Sequence, residues 1–565
     1  MSRILGIYSR KKRIVKKEFE GMFKDFLAHS KGITNTKIKD KIFFCLTKSK
    51  IEDNLGIVYN EDQSKIILFG GNIYDLDDGI SKLIRAGHKF KDRKNQAEFI
   101  LHSYEEYGAS FLKDLNGAFA FAIYDEIKDK LIVANDIFGL YPLFIHVSKK
   151  HIFFSTDFEP IIQHKDFSKK LDLNAIAEYF TLGFPVGNKT LFKGIKNLSP
   201  GTILKVEKYR ISVKRYYNLN IRVNKNESID RFADEAAKII KKTTMNRVKG
   251  KKKMISSLTG GADTRLILSN LSKKQREDML FYTDKRQGLD EDKDKDIIIA
   301  KEIAKELGLK HMIRRKKHKA KIEFDDSSFE RARNLPDYAR SLSGIYGGEF
   351  LGWDCFNASP VKINEISKKE IDVRMKEIFS KRFLRKINHP YKTLKKEIRS
   401  INAENKEFLF YIHQFTRGFL TYIYGGACIS NMWGHPYRSC INDNSIYKDT
   451  SLLKFLLTIP MDYIKDYKLY NEIYRVHFHE LIHIPTNSPL AKRKDSCIPK
   501  IKKGIEPKSI KVIKYGRSLT RYIQNKKTWK KKIYNKRYIK SNADNLNHRV
   551  IKQFVNFEAW CEKFY

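Results

Sequence analysis

The run Leu258-Thr259-Gly260-Gly261-Ala262-Asp263-Thr264 stands between two segments of different character. The apolar residues Met254 to Leu258 before it predict a short buried strand, and Arg265 to Leu271 after it predict a helix. Two adjacent glycines let backbone N–H groups approach an anion without a Cβ in the way. The N-terminus of the following helix favours a phosphate there. The run therefore predicts a phosphate-binding loop between a strand and a helix.

Three side chains of this loop suit a nucleotide. Thr259 and Thr264 can add hydroxyl donors, and Asp263 can hold Mg²⁺ against a pyrophosphate. The alternative is a Gly-Gly turn with an Asp/Thr helix cap and no ligand, which is common in α/β proteins.

The residues that follow the loop continue the alternation of strand and helix. Phe281 to Thr283 predicts a second short strand, and Asp296 to Leu307 has the apolar spacing of an amphipathic helix. Gly308 stands where a helix stop belongs. Strand–helix–strand–helix order predicts a parallel α/β sheet.

The chain before residue 165 is predicted to form strands instead. Phe119 to Tyr124 and Leu131 to Ala134 predict a hairpin of buried strands, and further strands are expected at Leu143 to His146 and Ile152 to Ser155. Two domains are therefore expected, at 1–165 and 172–490, with a basic extension at 491–565. A chain of 565 residues is also too long for one core.

The composition bears on the cellular location of the protein and on its charged partners. The 41% of hydrophobic residues suffice for real cores, and without a run of about 18 apolar residues we expect no membrane span. The six cysteines form no C-x-x-C pair, which favours reduced thiols and a cytoplasmic location. Most of the net charge of +45 is attributed to a generally lysine-rich composition rather than to a polyanionic partner. The exception is Lys492 to Lys540, where basic residues crowd together; this segment either contacts a polyanion or is a solvated helical face.

Several motifs in order resemble the asparagine synthetases, whose relatives include β-lactam synthetases and lasso-peptide cyclases. Thr-Gly-Gly-Ala-Asp-Thr is similar to their Ser-Gly-Gly-x-Asp-Ser pyrophosphate loop. The other matching stretches of the second domain are Thr190 to Ile195, Leu198 to Thr202, Asp296 to Ala300, Leu307 to His311, Ser343 to Gly352, Ile459-Pro460 and Lys468 to Ile473. The match departs from the family in the second glycine-rich loop, where two family acids fall on Ile345 and Gly348.

The resemblance implies a Mg-ATP-dependent ligase that adenylates a small carboxylate and amidates it with ammonia, glutamine-derived nitrogen or another amine. It implies catalytic roles for Asp263, Lys468 and Glu349, and Mg²⁺ ligands at Asp263, Asp296 and Glu349. ATP is then expected on Ser257, Leu258, Thr259, Gly260, Gly261, Asp263, Thr264, Tyr282, Ser343 and Gly344. The sequence is also compatible with a homodimer.

The N-terminal stretches resemble the family's class II glutamine amidotransferase domain, an α+β sandwich of the Ntn-hydrolase type. They are Gly70 to Tyr74, Gln96 to Ile100, Leu115 to Phe121 and Asn135 to Leu143. The family's nucleophilic cysteine falls on Ser2. Its oxyanion-hole Asn falls on Gly70, and the two acids that hold the glutamine amine fall on Asn72 and Gln96. These losses predict a structural domain without glutaminase activity.

Three rival functions remain open at this point. His479-Glu480-Leu481-Ile482-His483 matches the H-E-x-x-H zinc protease signature, but Pro485 must end the helix that a zinc site would need. A tRNA-modifying enzyme can use the same pyrophosphate loop, and a basic protein binds RNA readily. A catalytically inactive ATP-binding scaffold is the third alternative, because both domains have lost family residues.

Overall fold

The computed structural model describes most of the chain. The described residues are 2–10, 13–14, 16–28, 33–48, 56–208, 210–251, 254–285, 289–315, 340–344, 347–352, 367–414, 443–488, 490, 494–497, 533–535, 539, 553–554, 557–558 and 561. Ile345 and most of the basic segment from Lys492 to Lys540 lie outside them.

Two antiparallel sheets form the N-terminal domain. Their strands are β1 Arg3–Ser9, β2 Ile33–Lys39, β3 Ile42–Lys48, β4 Ile57–Tyr59, β5 Lys65–Tyr74, β6 Asn116–Asp125, β7 Lys130–Asn135, β8 Phe144–Val147, β9 His151–Ser155, β10 Ile195–Asn197, β11 Thr202–Glu207 and β12 Arg210–Arg215. The orders are β10-β8-β9-β1-β3-β2 and β12-β11-β7-β6-β5-β4. The predicted hairpin is confirmed, because β6 and β7 pair antiparallel.

Helices cover the outer faces of the two sheets. They are α1 Glu20–Ala28, α2 Asp77–Arg85, α3 Gln96–Tyr107, α4 Glu159–Ile162 and α5 Leu173–Leu182. Alternate residues of a strand face opposite sides, so Ile4 of β1 packs between the sheets while Leu5 packs against the layer of α1 and α4. Because both faces are covered, the central strands β1, β3 and β9 are buried along their whole length, whereas the edge strands β2 and β12 are largely exposed. The layers are helix, sheet, sheet, helix, as the α+β expectation requires.

The two sheets continue past the boundary predicted at residue 165. Strand β10 pairs with β8, and β11 pairs with β7, so the sheets end only at Arg215. The change to a helical pattern near residue 172 reflects α5, which packs on the outside of the first sheet. The apolar periodicity predicted the helix correctly. It did not indicate that β10 and β11, which follow the helix, pair with strands of the N-terminal sheets.

A parallel sheet forms the second domain. Its strands are β13 Met254–Ser257, β14 Leu280–Asp284, β15 His311–Arg314, β16 Arg340–Ser343 and β17 Asp443–Ser445. The order is β15-β14-β13-β16-β17, and every neighbouring pair is parallel. The predicted strand–helix alternation is confirmed, and Gly308 ends its helix with φ of 61°.

Helices surround this sheet. They are α6 Ile229–Val248, α7 Ala262–Ser269, α8 Lys273–Glu277, α9 Lys295–Leu307, α10 Gly347–Leu351, α11 Lys368–Ile378, α12 Lys381–Leu384, α13 Pro390–Arg399, α14 Lys406–Gln414, α15 Thr450–Leu456, α16 Met461–Ile464 and α17 Lys468–His477. Within the described ranges, no helix is long and apolar enough to cross a membrane.

Part of the C-terminal extension is core rather than surface. Phe554 and Phe557 are fully buried, and their rings lie 5.0 and 5.4 Å from that of Phe180 on α5. The Gln553 side chain donates to the backbone carbonyl of Tyr179 at 2.9 Å. The described residues of 491–565 therefore help to join α5 to the second domain, which the excess of basic residues did not indicate.

A buried ion pair of the second domain contacts two residues of the N-terminal domain. Arg247 on α6 lies 3.3 Å from Asp449, and its guanidinium stacks on the ring of Tyr74 at the end of β5. Asn116 at the start of β6 donates to the same carboxylate at 2.9 Å. Breaking a buried pair leaves an uncompensated charge, so these contacts fix the end of β5 against the second domain.

Candidate active site

The strand order of the parallel sheet marks one place for a ligand. The chain moves from β13 to β14 on one side and later to β16 on the other, so the order reverses between β13 and β16. In open parallel sheets, ligands bind outside the carboxyl ends of the strands at this reversal. The loop 258–261 follows β13. Ser343 is the last residue of β16, and Gly344 follows it.

The two glycine-containing loops meet around Asp263. A β-carbon built at Gly347 would lie 2.5 Å from Asp263 Oδ1, and one at Gly344 would lie 3.1 Å from the Asp263 backbone. Ordinary side chains at these positions would push the loops apart. The structure thus brings together the two segments that the sequence predicted as nucleotide-binding.

A network of hydrogen bonds holds the first loop. Asp296 Oδ1 accepts from the Gly260 backbone N–H at 2.9 Å and from the Asn487 side chain at 2.7 Å. The Thr486 hydroxyl donates to the Gly260 carbonyl at 2.6 Å. Asp296, which the sequence predicted as a metal ligand, therefore uses one carboxylate oxygen to position the loop. Asn487 and Thr486 carried no motif, and the sequence analysis missed them.

Three buried tyrosines donate hydrogen bonds to Asp263 and to the start of its helix. The hydroxyl of Tyr470 on α17 donates to Asp263 Oδ1 at 2.5 Å, and that of Tyr447 donates to the Asp263 carbonyl at 3.3 Å. Tyr474 donates to the Ala262 carbonyl. Burial, and then the Asp263 charge, raise the pKa of Tyr447 and Tyr470 well above the usual value, so both remain donors. The i, i+4 spacing of Tyr470 and Tyr474 was the available sequence signal.

The start of α7 offers donors to an anion. Its N-cap residue, Gly261, contributes no side-chain hydrogen bond, so backbone N–H groups of the first turn lack the usual capping oxygen. Thr264 is 5% exposed, and its hydroxyl has no hydrogen-bond partner among the described residues. A buried hydroxyl without a partner is unfavourable unless a ligand or water completes it.

The other predicted residues lie at varied distances from this centre. Glu349 is buried on α10, the helix whose first residue touches Asp263. The Leu258 N–H donates to the Tyr282 carbonyl at 2.8 Å, which holds the loop to β14. Lys468 is exposed on the first turn of α17. Residues two apart on a helix do not share a face, so Lys468 does not lie beside Tyr470 on the Asp263 side.

The H-E-x-x-H segment forms no zinc site. Helix α17 ends at His477, and the two motif histidines make separate contacts. His479 Nε2 lies 2.9 Å from the Val476 carbonyl, and His483 Nε2 lies 2.9 Å from Glu306. The zinc protease alternative is therefore excluded by local geometry.

The N-terminal domain has a second candidate site around Ser2. The Gly71 N–H donates to Ser2 Oγ at 3.1 Å, and the Tyr141 hydroxyl donates to the Ser2 carbonyl. A β-carbon built at Gly70 would lie 2.7 Å from the Tyr141 hydroxyl and 2.9 Å from Ile4. The protein's own side chains fill the space beside Gly70.

Comparisons with known proteins identify a domain family for the N-terminal part and relatives that match part of the chain. Residues 52–217 match the model of the glutamine amidotransferase domain family. Asparagine synthetase [glutamine-hydrolyzing] 3 of Bacillus subtilis is 32% identical over 174 residues, which are 31% of this chain and 28% of that protein. Putative asparagine synthetase [glutamine-hydrolyzing] 1 of Methanocaldococcus jannaschii is 26% identical over 311 residues, 54% of this chain and 52% of that protein. Over these stretches the chain is similar to asparagine synthetases.

The matches cover only part of those relatives, between 28% and 52% of their lengths for the two named here. Among solved structures, glutamine phosphoribosylpyrophosphate amidotransferase from B. subtilis superposes with a TM-score of 0.27 at 11% identity, over 60% of this chain and 74% of that one. That overlap is too loose to support an argument from shape.

Gln96 and Gly70, two positions where the sequence departs from the amidotransferase pattern, take part in backbone hydrogen bonding and close packing. The Gln96 side chain donates to the Ile73 carbonyl at 3.0 Å and accepts from the Ile73 N–H at 2.9 Å. It therefore pairs with the backbone of β5 where the asparagine synthetase resemblance expects an acid for the substrate amine. The geometry around Gly70 likewise leaves no room for the asparagine that the resemblance expects there.

The contact between α10 and Asp263 gives a matched test. Gly347→Ala should lower the free energy of unfolding by about 1–3 kcal/mol, because the new methyl group meets Asp263 and Tyr447. Gly348→Ala is the control, since it lies on the same helix and its nearest neighbour would be 3.6 Å away. Thermal unfolding of both variants measures the difference, and equal midpoints would show that the two loops are not in close contact.

Proposed function

We propose that the second domain is a Mg-ATP-dependent ligase that adenylates a small carboxylate and then forms an amide. The meeting of two glycine-containing loops around Asp263, at the reversal point of a parallel sheet, carries this proposal. The similarity to asparagine synthetases over part of their length supports it.

The first loop fits a polyphosphate. Gly260 and Gly261 keep side chains away from the approach, the start of α7 has no side-chain cap, and the Thr264 hydroxyl lacks a partner within the described part of the chain. Anions are stabilised at helix N-termini, where unsatisfied N–H groups and the helix dipole act together. In this proposal the backbone N–H groups and Thr264 bind the departing pyrophosphate.

In this proposal, two carboxylates of the site bind Mg²⁺ and a third positions the loop. Asp263, oriented by Tyr470, and Glu349 would hold Mg²⁺, which neutralises phosphate charge when bound. Asp296 uses Oδ1 to hold the loop, so we assign it chiefly to positioning. We retain Lys468 as the cation for developing charge, because its flexible four-carbon stem lets an exposed residue reach inward.

The proposed reaction has two steps. A carboxylate oxygen of the substrate attacks the α-phosphorus, and the bond from that phosphorus to the bridging oxygen breaks to release pyrophosphate. An amine then attacks the acyl carbon, loses a proton and expels AMP. Aspartate is the first substrate to test, since the named relatives are asparagine synthetases.

The nitrogen is proposed to come from ammonia or another free amine. Ser2 has its carbonyl held by Tyr141, and the place beside Gly70 is filled. Loss of one oxyanion donor alone lowers a rate by roughly 10²–10³. The N-terminal domain then serves as a structural partner of the ligase domain.

Thr264→Val tests the phosphate site without disturbing the fold. The hydroxyl has no described partner, so stability should stay unchanged, while the dissociation constant for Mg-ATP should rise roughly 10- to 100-fold through the lost charged hydrogen bond. Ser269→Ala is the matched control, because it removes another unpartnered hydroxyl from the far end of α7. Calorimetric titration with Mg-ATP measures both. Equal affinity in the wild type and Thr264→Val would place the nucleotide elsewhere.

Release of AMP, pyrophosphate and asparagine tests the reaction and its nitrogen source. With Mg-ATP and aspartate, ammonium should support product formation and glutamine should not, and Asp263→Ala should abolish AMP release. Ser2→Ala should leave the ammonium-dependent rate unchanged. Glutamine-dependent turnover that disappears in Ser2→Ala would instead establish a working glutaminase. Undiminished AMP release by Asp263→Ala would contradict the ligase site.

A further inference from the structure

A cluster outside both candidate active sites combines two buried histidines and an aspartate. One ligand atom each from His151, His164 and Asp166 lies within 4.8 Å of the other two. His151 begins β9, His164 follows α4, and Asp166 is exposed. The neighbouring side chains include Phe19 and Phe153, whose ring centroids lie 5.3 Å from His151 and 4.8 Å from His164, respectively.

Both imidazoles carry a nitrogen that the described residues do not satisfy. His151 and His164 are each 5% exposed, and His151 Nδ1 and His164 Nε2 have no hydrogen-bond partner in the described part of the chain. Burying such atoms among aromatic rings costs free energy unless something completes their coordination. Two imidazoles and one carboxylate are a common ligand set for a divalent transition metal.

We propose that His151, His164 and Asp166 bind one Zn²⁺ ion. Ligand atoms around tetrahedral zinc lie about 3.3 Å apart for bonds of about 2.0–2.1 Å, so the three groups must close slightly, which the exposed Asp166 can do by changing rotamer. Coordination through His164 Nε2 moves the ring proton to Nδ1, at the expense of the 3.3 Å hydrogen bond from the Asp166 N–H. A water molecule completes the coordination.

The site is structural rather than catalytic. His151 pairs with Ser9 at the end of β1, whereas Ser2 precedes the other end of this strand. At about 3.4 Å per residue, roughly 20 Å separate the two. The ion would tie β9 to the segment after α4, against the short helix Lys16–Phe19.

A second histidine cluster provides the control. Glu61, His88 and His102 also lie close together, and His102 Nε2 has no hydrogen-bond partner among the described residues either, but there carboxylates pair with both rings. His102 Nδ1 lies 3.2 Å from Glu105, and His88 Nε2 lies 3.2 Å from Glu106. Those ion pairs explain the second cluster without a metal.

Zinc retention by the full-length protein tests the proposal. The wild type, stripped with chelator, incubated with Zn²⁺ and desalted, should retain about one ion per chain and unfold several degrees higher than the stripped form. His164→Gln and Asp166→Asn should lose this retention, and His88→Gln should keep it. Asp166→Asn alters only an exposed group, so its loss of zinc would not reflect misfolding.

The visible absorption of the wild-type protein after Co²⁺ substitution reports directly on the coordination at the site. Co²⁺ should give the visible absorption of a four-coordinate site, and the band should be absent in His151→Gln. No retained zinc in the wild type would overturn the proposal in favour of a buried water. Loss of zinc in His88→Gln, with retention in His164→Gln, would place the metal at the other cluster.

Discussion

The close packing of α10 against Asp263 is the contact on which the second domain depends. Gly344 and Gly347 allow the end of β16 and the start of α10 to approach α7 with no intervening side chain. This approach brings the carboxyl ends of β13 and β16 together at the reversal of strand order. Tyr447 and Tyr470 also donate hydrogen bonds to Asp263, so its carboxylate is oriented by the protein itself.

In the N-terminal domain, two positions that the resemblance associates with glutamine binding take part in packing and backbone hydrogen bonds. Tyr141 fills the space next to Gly70, and Gln96 pairs with the backbone of β5. The same strand ends at Tyr74, on which the buried Arg247 of the second domain stacks. Because β5 carries both features, its conformation supports the domain junction as well as the packing around Gly70.

The sequence predicted those features that depend on short-range patterns. The β6–β7 hairpin, the strand before the Gly-Gly loop and the helix stop at Gly308 all follow from periodicity and glycine conformations within a few residues. Contacts between distant segments left no such signal. Asn487 reaches Asp296 across nearly two hundred residues, and Phe557 packs on α5 from the far end of the chain. The many lysines of the C-terminal segment favoured a solvent-exposed extension, so the burial of its apolar residues Phe554 and Phe557 was not predicted.

Hydrogen exchange of the full-length protein with and without Mg-ATP tests most directly whether the two loops form one nucleotide site. The account predicts that peptides covering 257–264 and 340–352 gain protection together, while peptides around Ser2 and Gly70 do not change. Protection confined to one of the two loops, or found only in the N-terminal sandwich, would contradict it.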